Sequence, residues 1–255
     1  MKLSNFVTER LKITSKTKSA NVLKPATRQE LQSLIYEELE KQGPDADLNH
    51  IDTSDIDDMQ YLFHNAKIRN IKIDKWDVSN VIYMSAMFTG CTEFNCDLSN
   101  WDVSNVTHMY EMFSYCKNFN ADLSDWNVSN VRKMGKMFER CLKFECDLSR
   151  WDVSNVTTMS GMFNNCRMFN GDLSRWDVSN VETMPYMFRM CKNFNSDLSK
   201  WNVLNVTNMD SMFNKCINFE SDLSGWDVSK VKNYNAMFKE CPNMLNNPQL
   251  QPIFS

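Results

Sequence analysis

The chain has 255 residues, a formal net charge of −4 and an isoelectric point near 5.5. This acidic balance argues against a general nucleic-acid-binding protein, because such proteins neutralise phosphates with a basic surface. No run of about 18 apolar residues occurs, so the sequence predicts no membrane-spanning helix.

The first 26 residues form a basic segment. They contain one acidic residue, Glu9, and six cationic residues: Lys2, Arg10, Lys12, Lys16, Lys18 and Lys24. Residues 6–13 are consistent with a strand, and the Ser/Thr/Lys run after them is typical of mobile chain. The segment has neither the apolar run of a Sec signal peptide nor a cysteine for lipidation. We interpret it as part of a cap over the first repeat or, alternatively, as a tether or docking arm to a larger structure.

A capping helix is predicted after this segment. Residues 27–30, Thr-Arg-Gln-Glu, form a capping box. In a capping box the side chain of the first residue accepts the backbone N–H of the fourth, and the side chain of the fourth accepts the backbone N–H of the first. The box predicts a helix of about 14 residues that ends at Gly43, since glycine commonly follows a helix C-terminus. Its apolar positions share one face: Leu31, Leu34, Ile35 and Leu39. We assign residues 1–50 to the N-terminal segment and this helix.

Residues 51–247 consist of about eight copies of a 25-residue repeat. One copy, residues 101–125, reads W-D-V-S-N-V-T-H-M-Y-E-M-F-S-Y-C-K-N-F-N-A-D-L-S-D. Two residue types recur at a constant step of 25: Trp76, Trp101, Trp126, Trp151, Trp176, Trp201 and Trp226, and Cys91, Cys116, Cys141, Cys166, Cys191, Cys216 and Cys241. A fixed period of this size predicts stacked units, because one unit alone cannot bury its apolar face.

Two local patterns predict the structure inside each unit. One set of residues has the i, i+3, i+4, i+7 spacing of a helix face: Met109, Met112, Phe113 and Cys116. Pro185 predicts that this short helix begins near Thr183 or Met184 in its unit, since proline is tolerated only in the first turn. Residues 98–103 alternate apolar side chains like a short strand. The expected fold class is therefore α/β, a solenoid of strand and short-helix units with a parallel ladder of strands.

The recurring apolar columns predict a continuous core. The chain contains 18 Met, 16 Phe and 9 Cys. A methionine stripe can bind copper(I) or form a pliable groove, but methionines that share a face with Phe and Cys favour core packing. The cysteine column favours free, buried thiols, and a spine of disulfides between neighbouring units is the alternative. No C-x-x-C motif with a nearby histidine supports zinc, and we predict no cofactor.

Two columns of aspartate run along the repeats. They consist of Asp97, Asp122, Asp147, Asp172, Asp197 and Asp222, and of Asp77, Asp102, Asp152, Asp177 and Asp227. Stacked carboxylates repel each other and need compensating groups. We predict that these side chains form turns by accepting backbone N–H groups. Calcium binding is the alternative, although the β-rolls that bind calcium use glycine-rich loops and this chain has only 6 glycines.

The column just before tryptophan supplies the candidate binding residues. It contains three consecutive cations: Arg150, Arg175 and Lys200. We expect these cations either to neutralise the neighbouring aspartates or to form a stripe that recognises an acidic protein or a sulfated or acidic glycan. A second column changes from unit to unit and is a further place for specificity: Tyr83, His108, Lys133 and Thr158.

No catalytic motif is present. The chain lacks a G-x-S-x-G motif, a P-loop and an H-E-x-x-H motif. A repeating aspartate ladder also does not provide the two distinct carboxyl environments that a glycosidase needs. We therefore predict a non-enzymatic protein with no catalytic and no metal-binding residues.

The repeat pattern is interrupted near the C-terminus. Pro242 falls inside the last repeat, and Pro248 and Pro252 follow it. Terminal repeats are expected to be atypical, because one of their faces meets solvent. Residues 248–255 are therefore predicted to form a short tail or cap.

The W-D-V-S-N-V-x-x-M-x-x-M-F-x-x-C motif resembles the repeat of the BspA-like leucine-rich-repeat surface-protein family. The resemblance covers most of residues 51–247. It implies a right-handed, leucine-rich-repeat-like solenoid. It also implies adhesion and binding of host or matrix proteins, usually by secreted or lipid-anchored proteins of bacteria and some protists. The opening F-V-T-E-R-L-K-I-T-S-K is similar to leader segments that precede varied modules in bacterial and phage-encoded proteins.

Together these observations predict a non-enzymatic, adhesin-like repeat protein that presents its surface to a protein or glycan partner. The main alternative is a virion or intracellular scaffold component that docks through its basic N-terminal segment. An enzyme that acts on polysaccharides is a more distant alternative. Without a Sec signal or lipobox, we expect a cytoplasmic or virion-associated protein, or export to the cell surface by a route other than Sec.

Overall fold

The computed structural model describes residues 22–254. The strand predicted over residues 6–13 lies outside these residues, as does most of the basic segment. The described chain contains helix α1 (Arg28–Gln42), helix α2 (Pro242–Asn246) and a short 3₁₀ helix (Pro248–Leu250). Between α1 and α2 the repeats consist of turns and isolated parallel β-bridges.

Helix α1 begins and ends where the sequence predicts it. The Thr27 hydroxyl accepts the N–H of Glu30 at 3.2 Å, and the Glu30 carboxylate accepts the N–H of Ala26 at 2.8 Å. Gly43 has a φ of +82° and donates its N–H to the Leu39 carbonyl, so a glycine ends the helix at a positive φ. Three residues of the helix belong to the same apolar core as the repeats: Leu31, Leu34 and Ile35.

Successive repeat units pair in parallel. Seven consecutive bridges join residues that are 25 positions apart, from Asp58–Tyr83 to Asn208–Asn233. In every unit except the last, four backbone N–H groups also donate to carbonyl groups of the next unit, 24 residues further on, at 2.7–3.2 Å. In one such pair of units the donors are Met134, Lys136, Phe138 and Arg140, and the acceptors are Thr158, Ser160, Met162 and Asn164. We call these bonds the amide ladder.

The M-x-x-M-F-x-x-C segment is not the short helix that its spacing predicted. Most of its N–H groups donate either to the next unit or to the carbonyl three residues earlier, which makes a series of turns. In most units two residues have a positive φ, for example Lys136 at 56° and Arg140 at 60°. An α-helix would instead bond each N–H four residues back within its own segment, at negative φ. Both conformations bury the same residues, so the spacing alone does not distinguish them.

The strand predicted over residues 98–103 is also absent. The N–H of Trp101 donates to the Leu98 carbonyl at 3.1 Å and closes a tight turn there. Consecutive turns direct Trp101 and Val103 into the core without a strand. The bridges lie elsewhere in the unit and include Thr183, which the sequence placed near the start of a helix.

Side-chain hydrogen bonds between units repeat beside the amide ladder. Each tryptophan indole donates to a carbonyl 28 residues earlier at 2.9–3.0 Å, as Trp151 does to Leu123. Six column cysteines donate to a phenylalanine carbonyl 28 residues earlier at 2.7–3.0 Å, as Cys141 does to Phe113. Burial raises the pKa of the Cys91 thiol to about 12. These thiols are therefore neutral, poorly nucleophilic core groups.

Aromatic rings stack along the core from unit to unit. The ring centroid of Phe138 lies 5.8 Å from that of Phe163 in the next unit and 4.1 Å from that of Phe144 in its own unit. The methionines beside these rings, such as Met134 and Met137, are fully buried. The methionine stripe therefore forms core, as its shared face with phenylalanine and cysteine predicted.

The chain leaves the repeat pattern after Cys241. Helix α2 follows, and the Leu250 carbonyl then accepts the N–H of Leu223 at 2.8 Å. The ring of Phe254 stacks on that of Tyr234 with 4.0 Å between centroids. The residues after the last repeat thus cover part of the last unit.

Candidate binding surface

Recurring apolar side chains point inward along the stack, and the side chains that differ most between units point outward. The columns of Trp, Met, Phe and Cys are buried throughout the inner units. By contrast, the column that forms the bridges contains eight residues of six types: Asp58, Tyr83, His108, Lys133, Thr158, Thr183, Asn208 and Asn233. A site that distinguishes one partner from another has to be built from such outer columns, because the inner ones repeat.

The predicted cationic residues lie on an exposed edge of the stack, one per unit. Arg150, Arg175 and Lys200 are all exposed. A terminal nitrogen of Arg150 lies 3.2 Å from the Asp125 carboxylate, with both side chains more than three quarters exposed. A surface ion pair of this kind contributes little to stability. The three cations share one edge, but the structure does not bring them together around a pocket.

The aspartates beside these cations form turns, as the sequence predicted. The Asp147 carboxylate accepts the N–H of Ser149 at 2.9 Å, and the same bond recurs in each unit of this column. Hydrogen bonds from Ser149 hold the pKa of Asp147 below its usual range, and the charge of Arg150 lowers it further. No cluster of three metal-ligating side chains occurs within residues 22–254.

A shallow groove of about 330 Å³ lies on this edge. Its lining includes the carboxylates of Asp122 and Asp147, the thiol of Cys146 and the guanidinium of Arg150. The pKa values of both aspartates are lowered, and in both the main cause is the serine two residues later. General acid–base catalysis with two carboxyl groups needs environments that separate their pKa values. The groove therefore offers no support for a glycosidase-like site.

Four exposed tyrosines and a half-buried histidine lie on the first three repeat units. We call Tyr61, Tyr83, His108, Tyr110 and Tyr115 the tyrosine cluster; its four tyrosines are 38–49 % exposed. The rings of Tyr83 and His108 lie 5.2 Å apart. Exposed tyrosines that are held in place by neighbours are typical of binding surfaces, since they offer a large apolar ring with a polar tip at low entropic cost.

Cations from the following unit hold two of these rings. The Lys136 ammonium lies 5.7 Å from the centroid of the Tyr110 ring, and the Arg140 guanidinium lies 4.9 Å from that of Tyr115. Burial lowers the pKa of His108, and the charges of Lys133 and Arg132 lower it further. The imidazole is therefore neutral near pH 7, and the surface combines neutral aromatic rings with cations along one side.

Sequence reasoning identified only part of this cluster. It singled out the column of Tyr83 and His108 because that column varies, but it did not connect Tyr61, Tyr110 and Tyr115 with it. These residues occupy other columns of the repeat. The signal that could have found them was the aromatic excess at outward positions of the first three units, which becomes visible only when the copies are aligned in register.

The repeat also matches a known sequence family. The profile of a family described as Mycoplasma protein of unknown function, DUF285, matches residues 31–150 and 135–250. This chain belongs to the DUF285 family. The DUF285 repeat is of the BspA-like type, which agrees with the resemblance of the W-D-V-S-N-V motif. No curated protein matches the chain.

The DUF285 matches overlap over residues 135–150. Such an overlap is expected, because units that repeat every 25 residues allow the same family profile to align at more than one position along the chain. The family description gives no activity, so the DUF285 assignment supports the repeat type and leaves the function to be argued from the surface. Neither helix in the described part of this DUF285 protein has the length and apolarity that a membrane span requires.

Proposed function

We propose that this chain is a non-enzymatic, adhesin-like binding protein in which the tyrosine cluster contacts a protein or glycan partner. In this proposal the stacked units form the right-handed, leucine-rich-repeat-like solenoid expected from the resemblance. The solenoid is a rigid support, and the outer columns carry recognition. No catalytic residue, metal or cofactor is part of the proposed function.

One observation carries the proposal: four exposed tyrosines occur on adjacent units, while the inward columns repeat with little change. Tyrosine and arginine are enriched among the residues that dominate binding energy at protein interfaces. Arg140 stacks on Tyr115 and can contribute both a charge and an aromatic contact to a partner. The inner columns explain folding, but folding does not require tyrosine at these exposed positions.

The cationic edge of Arg150, Arg175 and Lys200 is the second candidate surface. In its favour, the three cations lie in one column and are exposed. Against it, each cation lies beside a carboxylate of the aspartate column, which reduces the net positive charge that an acidic partner would meet. We therefore rank this edge below the tyrosine cluster.

Binding assays with matched variants test the proposal. The triple variant Tyr83→Ala/Tyr110→Ala/Tyr115→Ala should lose capture of a protein partner or retention on a glycan array by at least about tenfold. Tyr186→Ala is the control, since Tyr186 is equally exposed in the same column as Tyr61 but lies outside the cluster. The variant Arg150→Glu/Arg175→Glu/Lys200→Glu should bind nearly as well as the unmodified protein.

Two outcomes would assign binding elsewhere. Loss only in the charge-reversed variant would place recognition on the cationic edge. Loss only on deletion of residues 1–21 would favour the alternative of a virion or intracellular scaffold component that docks through its N-terminus. The deletion keeps Leu23 and Lys24, because Leu23 pairs with Ile51 and Lys24 pairs with Asp52.

A further inference from the structure

The amide ladder has a direction, and this direction leaves one end of the stack open. In every inner unit the four ladder N–H groups point toward the next unit and the four ladder carbonyl groups point toward the previous one. The first unit therefore presents carbonyl groups at its outer side, and the last unit presents N–H groups. The two ends of the stack have opposite hydrogen-bonding character, as the two ends of an α-helix do.

The carbonyl end is covered by α1. The Arg28 guanidinium donates to the Gln60 carbonyl at 3.2 Å, and the Gln32 amide donates to the Tyr61 carbonyl at 3.3 Å. Apolar residues of α1 are buried in the core beside these donors. Among the four ladder carbonyl groups of the first unit, that of Gln60 thus has a donor from α1, and the apolar face of α1 packs on the core at this end of the stack.

The N–H end is not covered in the same way. The last unit carries the four ladder donors that have no acceptor among residues 22–254: Tyr234, Ala236, Phe238 and Glu240. Their counterparts one unit earlier, from Met209 to Lys215, all donate at 2.7–3.0 Å. Helix α2 and the residues after it, up to Phe254, supply no acceptor to these four N–H groups, and their contact with the row is the ring of Phe254 on that of Tyr234. The neighbouring positions from Lys232 to Ala236 are exposed. We call this row of four N–H groups the amide edge.

We propose that the amide edge binds an extended, acidic peptide segment of another protein. The peptide would lay its backbone carbonyl groups along the four N–H groups, in the place that the next unit would occupy. Binding by addition of an extended segment to an open backbone edge is a common mode of peptide recognition. A row of backbone N–H groups in turn conformation also favours negative charge.

The charges on the last unit favour an acidic partner. Lys232 and Lys239 are both exposed, and neither forms an ion pair within the described residues. Glu240, the acidic residue of the edge itself, is already paired with Lys215 at 3.5 Å. Carboxylates on a bound peptide would therefore meet two available cations together with the N–H groups.

Occupants from this chain itself fit poorly. Two copies that met through their amide edges would place N–H groups against N–H groups. A head-to-tail arrangement would have to displace α1 from the carbonyl end, where Arg28 and Gln32 already donate. Residues 1–21 carry five cations and one acidic residue, so Lys232 and Lys239 would repel them.

Amide-resolved NMR on the full-length ¹⁵N-labelled protein tests this proposal. The probe is a blocked peptide that alternates aspartate and valine, and its control has asparagine in place of aspartate. The acidic peptide should shift and protect the amides of Tyr234, Ala236, Phe238 and Glu240, and should bind at least about tenfold more tightly than the asparagine peptide. In the free protein these four amides should exchange faster than those of Met209, Ser211, Phe213 and Lys215.

Charge reversal provides a matched pair of variants. Lys232→Glu/Lys239→Glu should weaken binding of the acidic peptide about tenfold, because both cations lie on the last unit. Lys143→Glu/Lys192→Glu makes the same change in charge on exposed lysines of earlier units and should alter binding by less than about twofold. Both pairs are on the surface, so both variants should fold.

Four results would overturn the proposal. They are equal affinity for both peptides, amide shifts confined to other units, protection of the four amides before peptide is added, and no response at about 1 mM peptide. Concentration-dependent association of the protein through this edge would show that a second copy occupies it, which also contradicts the proposal. Loss of binding in the tyrosine-cluster variant does not affect this test, so the two proposals fail independently.

Discussion

Replacement of Trp151 by alanine is expected to lower the free energy of unfolding by about 3–5 kcal/mol. The Trp151 side chain is buried, lies 6.1 Å from Phe138 between ring centroids, and donates its indole N–H to the Leu123 carbonyl at 2.9 Å. Alanine would leave a large cavity in the middle of the stack and would remove a bond between two units. Urea denaturation followed by circular dichroism measures the change.

Phenylalanine at the same position separates the two contributions. Trp151→Phe keeps most of the ring but leaves the buried Leu123 carbonyl without its donor, which should cost about 1–3 kcal/mol. The expected order of stability is tryptophan, then phenylalanine, then alanine. A loss below about 1 kcal/mol for alanine would contradict the buried, bonded position of this side chain.

Replacement of Gly161 by proline is expected to cost about 3 kcal/mol or more. Gly161 has a φ of 62° and donates its N–H to the Pro185 carbonyl at 2.8 Å. Proline fixes φ near −65° and has no N–H, so it would break the ladder and force the chain out of its left-handed conformation. Thermal and urea unfolding of the variant measure this loss.

Proline one residue earlier is the matched control. Ser160 occupies the same column as Pro185, and its N–H has no acceptor among the described residues. Ser160→Pro should therefore change stability by less than about 1 kcal/mol. In a short helix both positions would fall in the first turn, where proline is tolerated. Equal tolerance of the two prolines would contradict the turn conformation.

The elements that the sequence predicted correctly are those whose causes are local. Helix α1 is set by Thr27, Glu30 and Gly43, which act through hydrogen bonds and backbone conformation within a few residues. The buried set of each unit was also predicted, because apolar residues that recur every 25 positions can be satisfied only by stacking. The turn-forming role of the aspartates was also predictable, because each carboxylate accepts the backbone N–H of the residue two positions later.

Two predicted elements were wrong: the short helix of the M-x-x-M-F-x-x-C segment and the strand over residues 98–103. The conformation of the repeat depends on hydrogen-bond partners far along the chain. The N–H of Phe138 donates to the carbonyl of Met162, and this bond replaces the helical bond that the local spacing suggested. The acceptor lies in the next unit, so the residues of one unit alone do not reveal it. The i, i+3, i+4, i+7 spacing within the unit therefore favoured a helix. The β-bridges likewise join residues 25 positions apart, so the local sequence of residues 98–103 does not indicate where they lie.

The candidate site was only partly predictable because it combines several columns and several units. Arg150, Arg175 and Lys200 share one column and were easy to find. The tyrosine cluster joins four columns, and its contacts, such as Tyr110 with Lys136, run between units. The amide edge involves no side-chain pattern at all. It follows from the direction of backbone bonds, which only the structure provides.

The most direct test of the stacked-turn architecture compares glycine with alanine at residue 211. Ser211 has a φ of 54°, is almost fully buried and donates its N–H to the Asn235 carbonyl at 2.9 Å. In a left-handed turn, Ser211→Gly should be more stable than Ser211→Ala by about 1 kcal/mol, because only glycine adopts positive φ without strain. In a helix the order reverses, since alanine is favoured over glycine by about 1 kcal/mol. Urea unfolding of the two variants therefore decides the matter: a more stable glycine variant is the result we predict, and a more stable alanine variant would contradict the amide ladder.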